Sequence, residues 1–573
     1  MKASKKRGFT IVELIIVIAV IAILSAVLIP TFSSLINKAN ITSDQSAVRN
    51  MNTALAASEA YGKPKDLTDV LKILGEAGMD AKDYKALAKG YKFVWDRTLN
   101  RVLYVEDATN NVTYPAQYTE SGYVWGTWVT LTGQIAGDDS WMEQVYTANG
   151  SLTYEQFRTN EEYKSGCFKE GDKIIGAKVS NASELISVVE TIAEEKKPGE
   201  KDMDIILGDN IDLMGAEWKP IAEFNGSFYG NNKEITGLRM SDRTADSIEI
   251  PAASQNSNYS FYGFVSVFAG AYFGDVTIHA DIDEPGSGKQ TDKGFDLNNQ
   301  TVAVAIGGIY ASGGNDSSKK IDVTVENVKV YGKVIGYNRV AGVVGYIGGH
   351  AKDDSADGAL PKGSTVTINN CENHAEIISS AASGSTFATA AGILSVTNQR
   401  APETNIYITG CKNYGAIRGQ WAAGIMADSW ASNVKSGSGY TDAGTITIDG
   451  CTNEGTVTGE IKETTQDRHK VRVGGIYGRY NGGSQEGYYT VIVKNCTNNG
   501  ELKLMDNRKS GHKHEVYIGS IAAYCAGETV SFSNDGKTYE LKLEGNTNSG
   551  TISCKPDAEK TIYINDAKNG IPS

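Results

Sequence analysis

From Phe9 to Ile29 every position is apolar except Thr10, Glu13 and Ser25, and the basic residues Lys2, Lys5, Lys6 and Arg7 stand ahead of Gly8. As a helix this run would be roughly 31 Å long at about 1.5 Å per residue, enough to cross a hydrocarbon core of about 30 Å. The pattern then becomes one-sided. Ile41, Val48, Met51 and Leu55 recur at spacings of seven, three and four, which extends the helix to about Tyr61, where Gly62 and Pro64 stop it. Two short helices are expected over 66–74 and 80–88, and a hairpin over 91–106, "YKFVWDRTLNRVLYVE". Residues 121–174 read as a connector or as extra strands of that small head.

An amphipathic stretch at 181–195 is expected to cap the N-terminal end of a repeat region. Beyond it the pattern turns to short β-runs between Gly and Asn turns. Five segments align: "CENHAEI" at 371, "CKNYGAI" at 411, "CTNEGTV" at 451, "CTNNGEL" at 496 and "NTNSGTI" at 546. "VTIHADI" at 276 and "VKVYGKV" at 328 fit with valine at the cysteine position. Successive starts lie 52, 43, 40, 40, 45 and 50 residues apart, and a Gly-apolar element such as "AGIMA" or "GGIYG" recurs between them. Such a period implies a solenoid or a propeller, and four strands per repeat are not evident. The expectation is therefore a right-handed parallel β-helix over 175–573. The position six after each start (Ile282, Val334, Ile377, Ile417, Val457, Leu502, Ile552) should face its interior. Asn373, Asn413, Asn453, Asn498 and Asn548 should stack as an amide ladder at about 4.8 Å per step. Cys371, Cys411, Cys451 and Cys496 share one position with Val276 and Val328, so packing, disulfides between coils and a metal site all stay open, with packing favoured because valine serves as well. The region also resembles the Gly-rich β-helix modules of bacterial surface proteins.

Glu13 is the anomaly of the apolar run, because an ionisable group there costs about 2.5–3.5 kcal/mol near the centre of a membrane span. A secretory signal peptide would be cut after the run, and "ILSAVLIP" is a poor small-residue site. A plain anchor with an incidental or snorkelling Glu13 is a second account. A cut between Gly8 and Phe9 is the third. Here "RGFTIVEL" matches, position by position, the motif of type IV pilins and pseudopilins, a family the chain resembles over about residues 1–62 and more softly to 120. The resemblance implies cleavage by prepilin peptidase, N-methylation of Phe9, a helix kink at Pro30, and pairing of Glu13 with the terminal amine of a neighbouring subunit during filament assembly. It implies a leader at 1–8, a long helix at 9–62 with a transmembrane segment at about 9–30, and a small head at 63–120. The fold class is then an α+β pilin-like part followed by an all-β part. The precursor would sit in the cytoplasmic membrane, and the product in a surface or extracellular filament.

Charge narrows the partners. The chain has 55 Lys and Arg against 68 Asp and Glu. Without the leader and its four positive charges the balance is more acidic still, which argues against nucleic acid, whose phosphates need basic partners. No phosphate loop, nucleophile constellation or cofactor motif is present, and none is expected. "DDSADG" at 353–358 offers Asp353, Ser355 and Asp357 as an incomplete calcium loop ending at Ser364, and His512 and His514 make only half a zinc site. Three functions compete: a non-enzymatic subunit displaying a recognition module, a pilin-anchored polysaccharide-degrading enzyme, and a secretion pseudopilin. Unequal polar links at 284–300, 459–472 and 504–516, with Trp430, Tyr440, Tyr480, Tyr488 and Tyr489 near the later repeats, leave two readings open: rings that cover the apolar ends of strands, or rings on loops that stack on a surface glycan.

Overall fold

A computed structural model describes residues 11–565 apart from short stretches, the longer of which are 119–127, 252–257, 288–294, 311–319, 349–359, 382–387, 462–469, 482–487, 508–513, 524–530 and 554–559; the side chains of most of 11–33 and of some strand residues also lie outside the description. The fold is mostly β, with a helix at its N-terminus. It divides into two compact units, Met1–Ile135 and Ala136–Ser573.

In the first unit, helix α1 spans Ile11–Ser58. Among the described residues no helix is long and apolar enough to cross a membrane. Of the one-sided stripe, Val48, Met51 and Leu55 are fully buried and Ile41 is half-buried. Two polar residues of α1 tie it to the head. The buried Asp44 carboxylate accepts the backbone N–H groups of Leu87 and Ala88, both at 2.9 Å, and the Tyr104 hydroxyl at 2.8 Å. Asn52 acts as a substitute strand, donating to Val102 O at 2.8 Å and accepting Val102 N–H at 2.7 Å. Helix α2 (Leu67–Glu76) starts at Asp66, whose side chain accepts Asp69 N–H at 3.0 Å, and buries Leu67, Val70 and Leu74. Strands β1 (Tyr91–Asp96) and β2 (Arg101–Glu106) form an antiparallel hairpin, extended by β3 (Val112–Tyr114) and β4 (Trp128–Thr130) in the order β3-β2-β1-β4. Residues 80–88 are not the helix expected from their composition; they form turns. Asp83 accepts Asp80 N–H and Asp80 accepts Lys82 N–H, while Asp44 captures the amides of Leu87 and Ala88. Local side-chain acceptors here displace the helical hydrogen bonds.

The second unit is built from three mainly parallel sheets; among the described residues the repeats starting at 276, 328, 371, 411 and 451 add a strand to each, and those starting at 496 and 546 add to two of them. Residues 405–430 show the plan. Asn405–Thr409, Lys412–Asn413 and Ile417–Gly419 join the first sheet, Trp421–Ala423 the second and Met426–Trp430 the third. Register from one repeat to the next is direct: Ile406 pairs with Ile446, Asn413 with Asn453, Ile417 with Val457, Ala422 with Val473 and Met426 with Tyr477. Ile282, Val334, Ile377, Ile417, Val457 and Leu502 are all essentially fully buried. Ile552, in the last repeat, is only half-buried.

The N-terminal edge differs from expectation. Helix Ala182–Glu195 forms, capped by the Asn181 side chain, and buries Leu185, Val188 and Ile192. The hydrogen-bonding edge of Asp204–Leu207, however, is taken by strand Lys173–Val179, which pairs in turn with Gly166–Glu170. A strand satisfies the open N–H and C=O groups directly, which a helix cannot do.

Candidate functional site

Of the N-terminal residues, Gly8 and Phe9 lie outside the described residues. Glu13 and Pro30 fall within α1, which continues through both, but their side chains are not described. Nearby described side chains leave an apolar helix surface open: Ile15, Ile18, Val20, Phe32, Leu35 and Ile36 are each at least half exposed.

The repeat asparagines come together in one row. Asn373 Nδ2 donates to Asn413 Oδ1 at 2.7 Å, Asn413 to Asn453 at 2.7 Å, Asn453 to Asn498 at 2.7 Å and Asn498 to Asn548 at 2.8 Å. The second amide hydrogen of each goes to the carbonyl two residues on, as in Asn413 to Gly415 O at 3.0 Å. The Gly-apolar element closes against this row. A Cβ on Gly342, Gly392 or Gly424 would strike the asparagine side chain and the carbonyl of the next such glycine. The Asn and Gly signals are therefore two halves of one contact across the interior.

Cys371, Cys411, Cys451 and Cys496 are free, fully buried and adjacent in that stack. Each thiol donates to a carbonyl of the preceding repeat, Cys411 to Ile368 O at 3.6 Å and Cys451 to Ile408 O at 3.4 Å. Burial pushes the Cys411 and Cys451 thiols well above the ordinary range, so they are neutral and poorly suited to metal or nucleophilic chemistry. Cys167 is likewise buried and free. Cys525, Cys554, Asp353, Ser355, Asp357 and His512, and the side chain of His514, lie outside the described residues. Ser364 is described, and its hydroxyl accepts Ile321 N–H at 3.0 Å.

One recurrent corner escapes a reading of periodicity alone. The residue just before each repeat start, which is Cys, Val or, in the last repeat, Asn546, has positive φ: Asp275, Asn327, Asn370, Gly410, Gly450, Asn495 and Gly545, all between 50° and 63°. Only Gly, Asn or Asp stands there, the residues that tolerate a left-handed corner. The "NC" and "GC" pairs carried that signal.

Two proposed sugar-stacking rings prove to be interior. Tyr480 and Tyr489 are buried; the Tyr480 hydroxyl donates to Tyr489 O at 3.0 Å and that of Tyr489 to Ser429 O at 2.7 Å. Alternation along their strands turns them inward. The side chains of Trp430, Tyr440 and Tyr488 are outside the description.

A cavity of about 380 Å³ is lined by Arg158, Glu161, Lys178, Asn231, Lys233 and Asp275, among others. Its charges are already engaged. Lys178 Nζ donates to the carbonyls of Phe157, Arg158 and Asn160 at 3.0, 3.2 and 2.8 Å, although burial lowers its pKa to about 8. Arg158 pairs with Glu155, and Lys233 with Glu161. The cavity wall holds a helix end in place.

Residues 3–29 match the prokaryotic N-terminal methylation motif. The N-terminus carries a type IV pilin motif. The chain is similar to the type IV major fimbrial protein FimA of Dichelobacter nodosus, 36% identical over 63 residues, a stretch that is 11% of this chain and 39% of that relative. This chain thus spans about two-fifths of the length of that relative. A crystal structure from Bacteroides ovatus, provisionally assigned as an immunoglobulin A1 protease, is similar at 17% identity with a TM-score of 0.37, over 65% of this chain and 84% of that one.

Proposed function

We propose that this protein is a pilin-like subunit of a type IV pilus or related filament that displays a right-handed β-helix as a recognition module at the cell surface. The observation that carries the reading is the N-terminal motif, in which the Gly8–Phe9 junction precedes an apolar run holding Glu13. Prepilin peptidase cuts after Gly8, freeing the Phe9 amine for methylation. The precursor is held in the cytoplasmic membrane by the apolar run until other subunits take up that surface. Glu13 is retained there because the amine of a neighbouring subunit pairs with it, an opposite charge that favours the ionised carboxylate. Three mainly parallel sheets with direct register between repeats support a β-helix, since each of the repeats starting at 276 through 451 adds one strand layer to all three. The module binds a surface glycan without cutting it.

Mass spectrometry of the mature N-terminus tests the processing step. A methylated Phe9 is expected; a mature chain beginning beyond Pro30 would overturn the pilin reading.

A further inference from the structure

The outer side of the first sheet carries a column of rings, one per layer. His279, Tyr331, His374 and Tyr414 each stand three residues after a repeat start. Their rings stack as planes. Centres are 4.8 Å apart for His279 and Tyr331, 4.4 Å for Tyr331 and His374, and 4.6 Å for His374 and Tyr414, with interplanar angles of 12°, 7° and 14°. Those spacings follow the layer spacing of about 4.8 Å, so each ring stands on its own layer with its faces turned along the axis. Carboxylates sit beside both imidazoles: Glu372 Oε2 lies 3.1 Å from His374 Nε2, and Glu234 Oε2 lies 3.7 Å from His279 Nε2.

The stack stops at Tyr414. In the next three repeats the same position holds Glu454, Asn499 and Ser549, kept in line by direct register. Glu454 leans away from the ring: its Oε1 accepts Asn499 Nδ2 at 2.8 Å, one layer further on, and the Ser549 hydroxyl donates in turn to Asn499 Oδ1. The far face of Tyr414 is thereby left open. Tyr414 is 41% exposed, whereas His374, closed between two rings, is half-buried. Glu454 and Asn499 are exposed as well. The fifth place in the column is therefore a notch open to solvent, with an aromatic face on one side and a carboxylate and an amide on the other. Lys412 stands two residues before Tyr414, and Glu501 two residues after Asn499.

A pyranose ring suits such a notch. The C–H bonds on one of its faces are weakly positive and meet the negative face of a phenol ring, while its hydroxyls form strong hydrogen bonds to a carboxylate. The rings beneath Tyr414 already hold it upright, so little side-chain freedom is lost on binding. Two carboxylates, Glu454 and Glu501, stand here against one ammonium, Lys412, and like charge disfavours an acidic sugar. We propose that the notch beside Tyr414 binds a neutral hexopyranose unit of a glycan, with its C–H face on Tyr414, a hydroxyl donating to Glu454 and another accepting from the Asn499 amide. The proposal rests on the glycan-recognition reading above and names the ligand class and the place of contact.

The test is binding of full-length protein, in detergent, to immobilised dextran, galactan and mannan, with polygalacturonate as the acidic arm. The wild type should be retained on at least one neutral polymer, with little change as salt rises. Tyr414→Ala should lower that affinity roughly tenfold and Glu454→Gln by a few fold, both with unchanged thermal melting. Tyr414→Phe should bind like the wild type, because the ring face and not the hydroxyl makes the contact. Neutral-polymer binding unaffected by Tyr414→Ala, or by Glu454→Gln should the alanine variant fail to fold, would overturn the proposal. Retention on polygalacturonate but on no neutral polymer would overturn it while leaving glycan recognition standing. Retention on none of the four would sink both.

Discussion

At the Asn413 side chain every polar atom is used. Its amide donates to Asn453 and to Gly415 O, and its oxygen accepts from Asn373. Truncation to alanine strands Asn373 Nδ2 and Asn453 Oδ1 in a dry interior, at about 1–3 kcal/mol for each unsatisfied group. Asn413→Ala should therefore lower stability by about 2–6 kcal/mol, read from the thermal or denaturant midpoint. Asn548→Ala should cost clearly less, because Asn548 ends the row and is only half-buried. Equal losses at the two sites would argue that the row does not act as a unit. Glycines divide in the same way. Gly392→Ala drives a Cβ into Gly424 O and Asn413 Oδ1, and insoluble protein is expected. Gly450 has φ +63° and open space around its would-be Cβ, so Gly450→Ala should cost only about 1–2 kcal/mol of backbone strain.

For elements, α1 presents two different problems along its length. Its C-terminal half is anchored to the head by Val48, Met51, Leu55, Asp44 and Asn52. Its N-terminal half shows Ile15, Ile18, Phe32, Leu35 and Ile36 to the surroundings. An open apolar helix face is stable only in lipid or against other apolar helices. Glu13→Ala makes that segment more apolar, so membrane insertion should persist. Incorporation into sheared filaments, compared with wild type by immunoblot, should be lost. Normal incorporation of the mutant would remove Glu13 from assembly.

For the whole molecule, the repeat is the unit of change. Starts at 411 and 451 are 40 residues apart and carry the same strands in the same register. Deleting 411–450 should place Cys451 and Asn453 where Cys411 and Asn413 stood, closing the row one layer shorter. Circular dichroism should show a β spectrum with a cooperative melt close to that of the full chain, since such arrays are held by neighbouring-layer contacts. Deleting 411–430 alone breaks the register and should abolish the melt. A folded product from the half-repeat deletion would count against layer-by-layer stacking.

Features that depend on neighbours in the chain were readable in one dimension. The apolar run, the stripe ending in Leu55 and the hairpin over 91–106 follow from periodicity and turn chemistry, and the repeat is visible because each layer reuses the same corner and the same Asn. Contacts between distant residues were not readable. Residues 80–88 lose their helix to Asp44, more than 35 positions away, which takes the amides of Leu87 and Ala88. Tyr480 and Tyr489 look like loop rings until strand alternation turns them inward. Trp421, Asp428, Arg472 and Arg479 share no motif. Each is unremarkable in its own strand, and they meet because two sheets turn sharply between Ala423 and Met426, so that residues some fifty positions apart become neighbours. Local pattern specifies which strand forms; only the stacking of strands specifies which side chains face one another.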